Sequence, residues 1–131
     1  MKTFPAAPAT VWLASLLLLS ACSKPDPAAD LEKTAAILEA APAEPTSDGT
    51  PAIAPAEQLK TAMEDYKAGK MEDAVTRLQL LRATSTLSPE QRIALQDSVA
   101  SVMAEIYVLA EKGDARAIAA VAQYERMQTR R

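Results

Sequence analysis

The sequence predicts an all-α protein in which about four helices form a small antiparallel bundle after a disordered tether. Three observations favour this fold. From residue 56 onward Pro89 is the only proline, so little interrupts helices there. Apolar residues recur in that region every three or four positions, which is the spacing of one helix face. Two isolated glycines, Gly69 and Gly113, stand where the chain must reverse between helices. The helical domain is therefore expected to cover residues 56–131.

The first predicted hairpin pairs a helix over residues 56–68 with a helix over residues 71–83, and Gly69 provides the turn. Each helix has a single apolar stripe, which we expect to face the core. The stripe of the first helix comprises Leu59, Ala62, Met63 and Tyr66, and that of the second comprises Met71, Ala74, Val75, Leu78 and Leu81.

The second predicted hairpin is bounded by local capping signals. The range Ser88–Gln91 contains a capping box with a proline at the first helical position, and the helix that begins there is expected to reach about residue 112. Asp114 is expected to cap a fourth helix over residues 115–129. The residues expected to face inward are Leu95, Val99, Val102, Ile106 and Leu109 in the third helix and Ile118, Val121 and Ala122 in the fourth.

The segment 22–55 has the composition of a tether. It is rich in alanine and contains six of the nine prolines, so it offers too little apolar surface to build a core. Within it, residues 28–41 could form a short helix, because one helical face carries Leu31, Thr34, Ala35 and Leu38. An isolated helix of this length is marginal in water.

The first residues of the chain combine Lys2, an apolar run over residues 11–19 and the sequence Leu19-Ser20-Ala21-Cys22. A helix that spans a bilayer needs about 20 apolar residues, so this run is too short to span one. It has the length of the apolar region of a secretory signal. The arrangement resembles the signal peptide of a bacterial lipoprotein, and residues 1–21 would be that signal peptide.

This resemblance implies a lipid anchor at Cys22, which is the only cysteine in the chain. In such lipoproteins the cysteine thiol receives a diacylglyceryl group, cleavage makes the cysteine the N-terminus, and its amine is commonly acylated as well, for example with palmitate. The alternative is an ordinary secretory signal cleaved near Ala21, which would leave the thiol of Cys22 free.

The residues after the cysteine bear on the destination of such a lipoprotein. An aspartate at that position tends to retain members of the family in the inner membrane, whereas this chain has Ser23 and Lys24. The resemblance therefore implies the outer membrane, facing the periplasm, in preference to the outer face of the inner membrane.

A second resemblance is carried by the range Tyr66–Leu78, which is similar to the centre of a tetratricopeptide hairpin. Gly69 stands at the turn, and Ala62 and Ala74 supply the small residues that let the two helices approach closely. A less complete match to the same pattern occurs at residues 110–114. The two turn glycines are 44 residues apart, whereas the repeat length is about 34 residues, so an ordinary antiparallel bundle remains an equal alternative.

The composition excludes several classes of active site. The chain has no histidine, so Ser-His-Asp and Cys-His catalysis and histidine-based metal sites are not expected. Its three glycines are isolated, so no Gly-rich phosphate loop is present. A net charge of −3 without a basic stripe argues against nucleic-acid binding. We therefore expect no enzyme activity, cofactor, metal or small-molecule substrate.

These observations together predict a membrane-anchored envelope lipoprotein that acts as a non-catalytic interaction or scaffolding module. A protein partner or self-association is expected, with Tyr66 and Tyr107 as candidate partner-binding residues, although their spacing also suits packing. One alternative is a structural spacer or a lipoprotein that binds the cell wall non-covalently, because the chain ends Arg130–Arg131 and offers no terminal lysine amine for covalent linkage. Another alternative is an inhibitor or immunity-type lipoprotein.

Overall fold

The structure, a computed structural model, describes residues 26–42 and 53–130. Every regular element in these two ranges is an α-helix, which confirms the predicted fold class. The helices are α1 (Pro27–Leu38), α2 (Pro55–Lys67), α3 (Met71–Thr84), α4 (Pro89–Glu111) and α5 (Ala115–Thr129). The predicted signal peptide, Cys22 and most of the segment that joins α1 to α2 lie outside the described residues.

Local sequence signals fix the ends of α4 and α5 as predicted. Ser88 Oγ accepts a hydrogen bond from the Gln91 backbone N–H, and Gln91 Oε1 accepts one from the Ser88 N–H, at 3.2 and 2.9 Å. The carboxylate of Asp114 accepts hydrogen bonds from the backbone N–H groups of Arg116 and Ala117, in the first turn of α5. These side chains satisfy helix N–H groups that have no partner inside the helix.

Glycines make the two tight reversals of the chain. Gly69, between α2 and α3, has φ of 76°, and Gly113, between α4 and α5, has φ of 86°. These values lie in the left-handed region, where a residue with a Cβ atom is strained. The two turns produce the two predicted hairpins, α2 with α3 and α4 with α5.

The five helices form a closed ring of neighbours in the order α1, α2, α3, α5, α4 and back to α1, and α3 also touches α4. Helices α1 and α2 run antiparallel, because Glu32 pairs with Lys67 while Glu39 pairs with Lys60. The backbones of α2 and α4 are not direct neighbours, since none of their Cα atoms come within 8 Å of each other. The helix α1 therefore closes the ring between them.

One apolar core fills the ring. Its members come from all five helices, from the segment after α1 and from the segment before α4. Its most enclosed large side chains are Leu31, Leu38, Leu59, Val75, Leu78, Leu81, Leu95, Val102 and Ile106. Nearly all of the residues predicted to face inward from α2, α3 and α4 belong to this core or pack against it.

The position of α1 corrects the sequence prediction. We expected residues 28–41 to be a marginal helix inside a tether and the helical domain to begin at residue 56. Instead Leu31 and Leu38 are both 0% exposed, so α1 is part of the core and the bundle has five helices in the described ranges. The contacts with α2 and α4 supply the burial that this short helix lacks in isolation.

The inward face of α5 also differs from the prediction. Ile118 was expected to face the core but is 50% exposed, whereas Ala117 and Ala120 are fully buried. Helix α5 packs against both α3 and α4, and alanine side chains allow backbones to approach closely. Val121 packs against the core as predicted, and Ala122 is half-buried.

Candidate functional site

The predicted site residues do not form one cluster. Cys22 lies outside the described residues, so the predicted lipid anchor has no structural description. Tyr66 lies on α2 and Tyr107 on α4, and these two helices have no Cα atoms within 8 Å of each other.

Tyr66 packs against the core, and part of its side chain is exposed to solvent. Burial raises the pKa of its phenol above the ordinary value of 10.0, and the negative charges of Glu105 and Asp26 add to this effect. The phenol is therefore within electrostatic range of the N-terminus of α1 and of the side of α4 that carries Glu105.

Tyr107 faces a different direction. It is 42% exposed. Successive residues are about 100° apart around an α-helix, so Tyr107 and Glu105 lie about 200° apart on α4. Because Tyr66 lies on the Glu105 side, the two tyrosines do not line a common groove.

Tyr107 instead belongs to an exposed apolar stripe on α4. The stripe, which we call the outer face of α4, comprises Ile93, Ala100, Ala104, Tyr107 and Val108 on one side of the helix. The exposed polar residues Gln96 and Asp97 lie on the same side, between Ile93 and Ala100. Ile93 is the most exposed of the large side chains, at 62%. From Ile93 to Val108 the outer face is about 22 Å long at 1.5 Å per residue.

The outer face exists because α4 is apolar on both sides. Its inner side contributes Leu95, Val99, Val102 and Ile106 to the core. Among the described helices, α4 alone is long and apolar enough to cross a membrane by length and composition, a test that core helices of soluble proteins also pass. A helix with apolar residues all round normally has contacts on every side, yet no described helix covers the outer face.

Charge is sparse on this surface. Between Ile93 and Val108 the only charged residues are Asp97 and Glu105, and Glu105 lies on the side towards Tyr66. A partner that covered the outer face would therefore bury apolar surface and would have to accommodate one exposed carboxylate, that of Asp97. Such an apolar surface supports binding to another apolar surface.

A cleft with charged residues in its lining lies on another side of the bundle, where the N-termini of α3 and α5 meet. It has a volume of about 400 Å³ and is lined by residues 69–73 together with Ala115, Arg116 and Ala119. Arg116 Nη2 donates to Asp114 Oδ2 at 2.9 Å. Hydrogen bonds from Arg116 lower the pKa of the Asp114 carboxyl to about 2. The lining contains charges of both signs but no hydroxyl, thiol or imidazole group.

The described ranges also lack a set of three His, Cys, Asp or Glu residues placed to hold a metal ion. No known protein family, curated protein or solved structure matches this chain. The function has to be inferred from the surface chemistry of the chain itself.

Sequence reasoning identified Tyr107 but missed the rest of the outer face. The signal was present, because residues 98–104 contain no charged residue over two full turns of the helix. A helix with only one buried face would be expected to carry charge there. The apolar residues opposite Leu95 and Val102 were therefore the informative ones.

Proposed function

We propose that this protein is a membrane-anchored envelope lipoprotein whose helical bundle is a non-catalytic docking module. Lipid on Cys22 attaches the chain to the periplasmic side of the outer membrane. The outer face of α4 then binds an apolar helical surface of another envelope protein. The single observation that carries the docking function is the exposed apolar stripe from Ile93 to Val108.

The anchor is supported by the sequence of residues 1–22, with its short apolar run and lipobox. Each methylene of an acyl chain contributes about 0.8 kcal/mol when buried in a bilayer, and stable attachment takes two chains or more. A diacylglyceryl group together with an acylated amine meets that requirement.

The docking function is supported by the distribution of apolar surface. Scattered exposed apolar residues are normal in proteins, but exposed apolar residues that share one side of a helix and are bordered by polar residues mark a candidate interaction site. Ile93, Tyr107 and Val108 are large and share one helix with the small residues Ala100 and Ala104. Large residues flanking small ones suit a partner helix, which can approach closely at the alanines and pack between the larger side chains.

The anchor is tested in intact cells with the Cys22→Ser variant. The parent protein is expected to incorporate radiolabelled palmitate, to fractionate with membranes and to migrate as the shorter, processed form. The variant is expected to lose the label and to keep residues 1–21. Equal labelling of the two proteins would refute the anchor.

The docking surface is tested by placing a photo-crosslinking amino acid at Ala104 in the full chain. Ala83, an exposed alanine on α3, is the matched control position. We expect one discrete crosslinked product from Ala104 and none from Ala83, and mass spectrometry then identifies the partner. Equal and diffuse crosslinking from both positions would remove the support for the outer face as a docking site.

A further inference from the structure

We propose that α1 is an exchangeable helix, and that the groove it occupies between α2 and α4 also binds α1 of a second copy of this chain. The product is a helix-swapped dimer. This inference goes beyond the proposed function, since it requires neither lipid on Cys22 nor a foreign partner.

The first support is that α1 lies between two helices whose backbones are not direct neighbours. Helices α2 and α4 have no Cα atoms within 8 Å, whereas α1 contacts both. Leu31 and Leu38 are fully buried in this position. A short helix seated by apolar anchors between two helices has the geometry of helix-in-groove recognition.

The second support is the polarity of the seam between α1 and α4. Four polar residues are buried in the described ranges, and three of them lie at this seam: Thr34, Gln91 and Ser98. The hydroxyl oxygens of Thr34 and Ser98 are 2.7 Å apart. Gln91 Nε2 donates to the Ile37 carbonyl at 3.3 Å. Polar groups of this density are typical of interfaces that form between separable units, whereas the remainder of this core is almost entirely apolar.

The third support is charge complementarity along the edge of α1 that faces α2. Lys67 Nζ lies 3.0 Å from Glu32 Oε1, and Lys60 Nζ lies 3.7 Å from Glu39 Oε1. Exposed ion pairs of this kind add little stability. The two lysines of α2 do favour an antiparallel helix that carries acidic residues seven positions apart. The ion pairs therefore contribute to the specificity of the groove for α1.

The fourth support is the length of chain between α1 and α2. Sixteen residues separate Leu38 from Pro55, whereas antiparallel neighbouring helices usually need only about 2–8. Fully extended, sixteen residues span about 50 Å, which exceeds the length of α1, about 18 Å. The α1 helix of one copy can therefore reach the groove of another.

We assign α1 of a second copy as the helix that binds in the groove between α2 and α4, because this groove already fits α1. Every contact that α1 makes with α2 and α4 in one chain is available in the same form between two chains, so exchange replaces each contact by an identical one. Swapping of an identical element is a low-cost route to a dimer for this reason. A foreign helix would have to reproduce the apolar anchors, the Thr34 hydroxyl and both acidic residues.

Two single-cysteine variants test the exchange. The variants are Thr34→Cys and Ser98→Cys, each made in the full chain with Cys22→Ser, so that the introduced thiol is the only one. The two proteins carry different affinity tags, are mixed in denaturant at high concentration, refolded together and oxidised. A disulfide between chains can form at these positions only when α1 of one copy lies in the groove of the other, since the Thr34 and Ser98 oxygens are in contact.

A disulfide-linked heterodimer that carries both tags and disappears on reduction is the expected result. The matched control replaces Ser98→Cys by Ala120→Cys on α5. Ala120 is as deeply buried as Ser98, but α5 has no Cα atom within 8 Å of α1, so at least tenfold less heterodimer is expected. A chain with both Thr34→Cys and Ser98→Cys should form the disulfide internally.

The exchange is overturned if the double variant forms its internal disulfide while the mixed single variants give no more heterodimer than the control pair. If the double variant forms no disulfide, co-purification of two tags from refolded chains with unaltered Thr34 and Ser98 decides the question. Retention of both tags that is lost with Leu31→Ala and Leu38→Ala, in variant chains that circular dichroism shows to be folded, supports exchange. Absence of co-purification, or co-purification that survives these substitutions, refutes it.

Discussion

The hydroxyl of Thr34 on α1 contacts the hydroxyl of Ser98 on α4 at 2.7 Å. Ser98 Oγ also lies 3.1 Å from the Asp30 carbonyl oxygen, and Thr34 Oγ1 lies 3.2 Å from the Ala94 carbonyl oxygen. Because each hydroxyl has a single proton, one hydroxyl donates to the other and the second donates to its carbonyl. Two hydroxyl groups thus join a helix that follows the predicted anchor to the longest helix of the bundle. Both side chains are buried, so the stability of the seam depends on these hydrogen bonds being satisfied.

Ser98→Ala is expected to lower the free energy of unfolding by about 1–2 kcal/mol, because it removes one hydroxyl from this buried group. Urea denaturation of the purified protein measures the change. Ser101→Ala is the control, since the Ser101 hydroxyl donates to Asp30 Oδ2 at 2.8 Å in a partly exposed setting. Ser101→Ala should lower the free energy of unfolding by less than Ser98→Ala does. A larger decrease for Ser101→Ala would contradict the stabilising role assigned to the buried Ser98 hydroxyl.

Leu31→Ala is expected to destabilise the whole bundle by about 2–5 kcal/mol, because it removes a fully buried side chain from the core. Ile37→Ala, on the exposed side of the same helix, should change the stability by less than about 1 kcal/mol. Thermal unfolding followed by circular dichroism compares the two. Equal melting temperatures for Leu31→Ala and the parent would mean that α1 is not part of the cooperative fold.

The two turn glycines should respond to alanine in a similar way. Gly69→Ala and Gly113→Ala are each expected to lower the free energy of unfolding by about 1–2 kcal/mol, because an alanine is strained in the left-handed backbone conformation of these two positions. A Cβ atom at Gly69 would also lie 2.6 Å from Arg116 Nη1, whereas Gly113 has open space. Because the Arg116 side chain is exposed and long, it can move aside, so the extra cost at Gly69 should be small.

The Gly69 prediction is checked by a double-mutant cycle with Arg116→Ala. If the guanidinium moves freely, Gly69→Ala costs the same with and without Arg116. A rescue of more than about 1 kcal/mol by Arg116→Ala would show instead that the guanidinium is held in place.

Gln79→Met is expected to raise the free energy of unfolding by about 1 kcal/mol. Gln79 is buried on α3, and its Nε2 has no hydrogen-bond partner, so the amide carries a desolvation cost that methionine of similar size removes. Gln123→Met is the control, because Gln123 Nε2 donates to Thr76 Oγ1 at 3.1 Å. Gln123→Met should not raise the free energy of unfolding. A decrease for Gln79→Met would indicate that the Gln79 amide has a stabilising role.

Acid should weaken the start of α5. The pKa of Asp114 falls from 3.8 to about 2 in the folded protein, so the folded state favours the ionised carboxylate. Its contribution to stability is complete above about pH 4 and is lost as the pH falls towards 2. Asp114→Asn keeps a capping side chain but has no charge to lose.

Melting temperatures of the parent and Asp114→Asn, measured between pH 2 and 5, check this assignment. The advantage of the parent over the variant should shrink as the pH falls through this range. A difference that stays constant over the whole range would show that the ionised carboxylate is not favoured by folding.

Features determined by neighbouring residues were predictable from the sequence. The capping box at Ser88, the cap at Asp114 and the turns at Gly69 and Gly113 each depend on a few adjacent positions. The inner stripe of α4 was predictable for the same reason, since helical periodicity is visible in a single segment.

Features that depend on contacts between distant segments were not predictable. The stripe of Leu31 and Leu38 was visible, but nothing near it indicates that a groove between α2 and α4 receives it. Ile118 was misplaced because hydrophobicity favours the larger residue inside, whereas close approach of α5 to its neighbours selects Ala117 and Ala120. The candidate docking site was partly accessible, since Tyr107 was chosen without the other members of the outer face.

The incorporation of α1 into the bundle sets how far the body can stand from a bilayer. A disordered tether of 33 residues after Cys22 could extend on the order of 100 Å. In the structure the chain instead joins the bundle at Pro27, five residues after the cysteine. Five extended residues reach about 18 Å. A lipid on Cys22 would therefore keep the whole folded body against the headgroup layer, where it can meet only proteins at the same membrane surface.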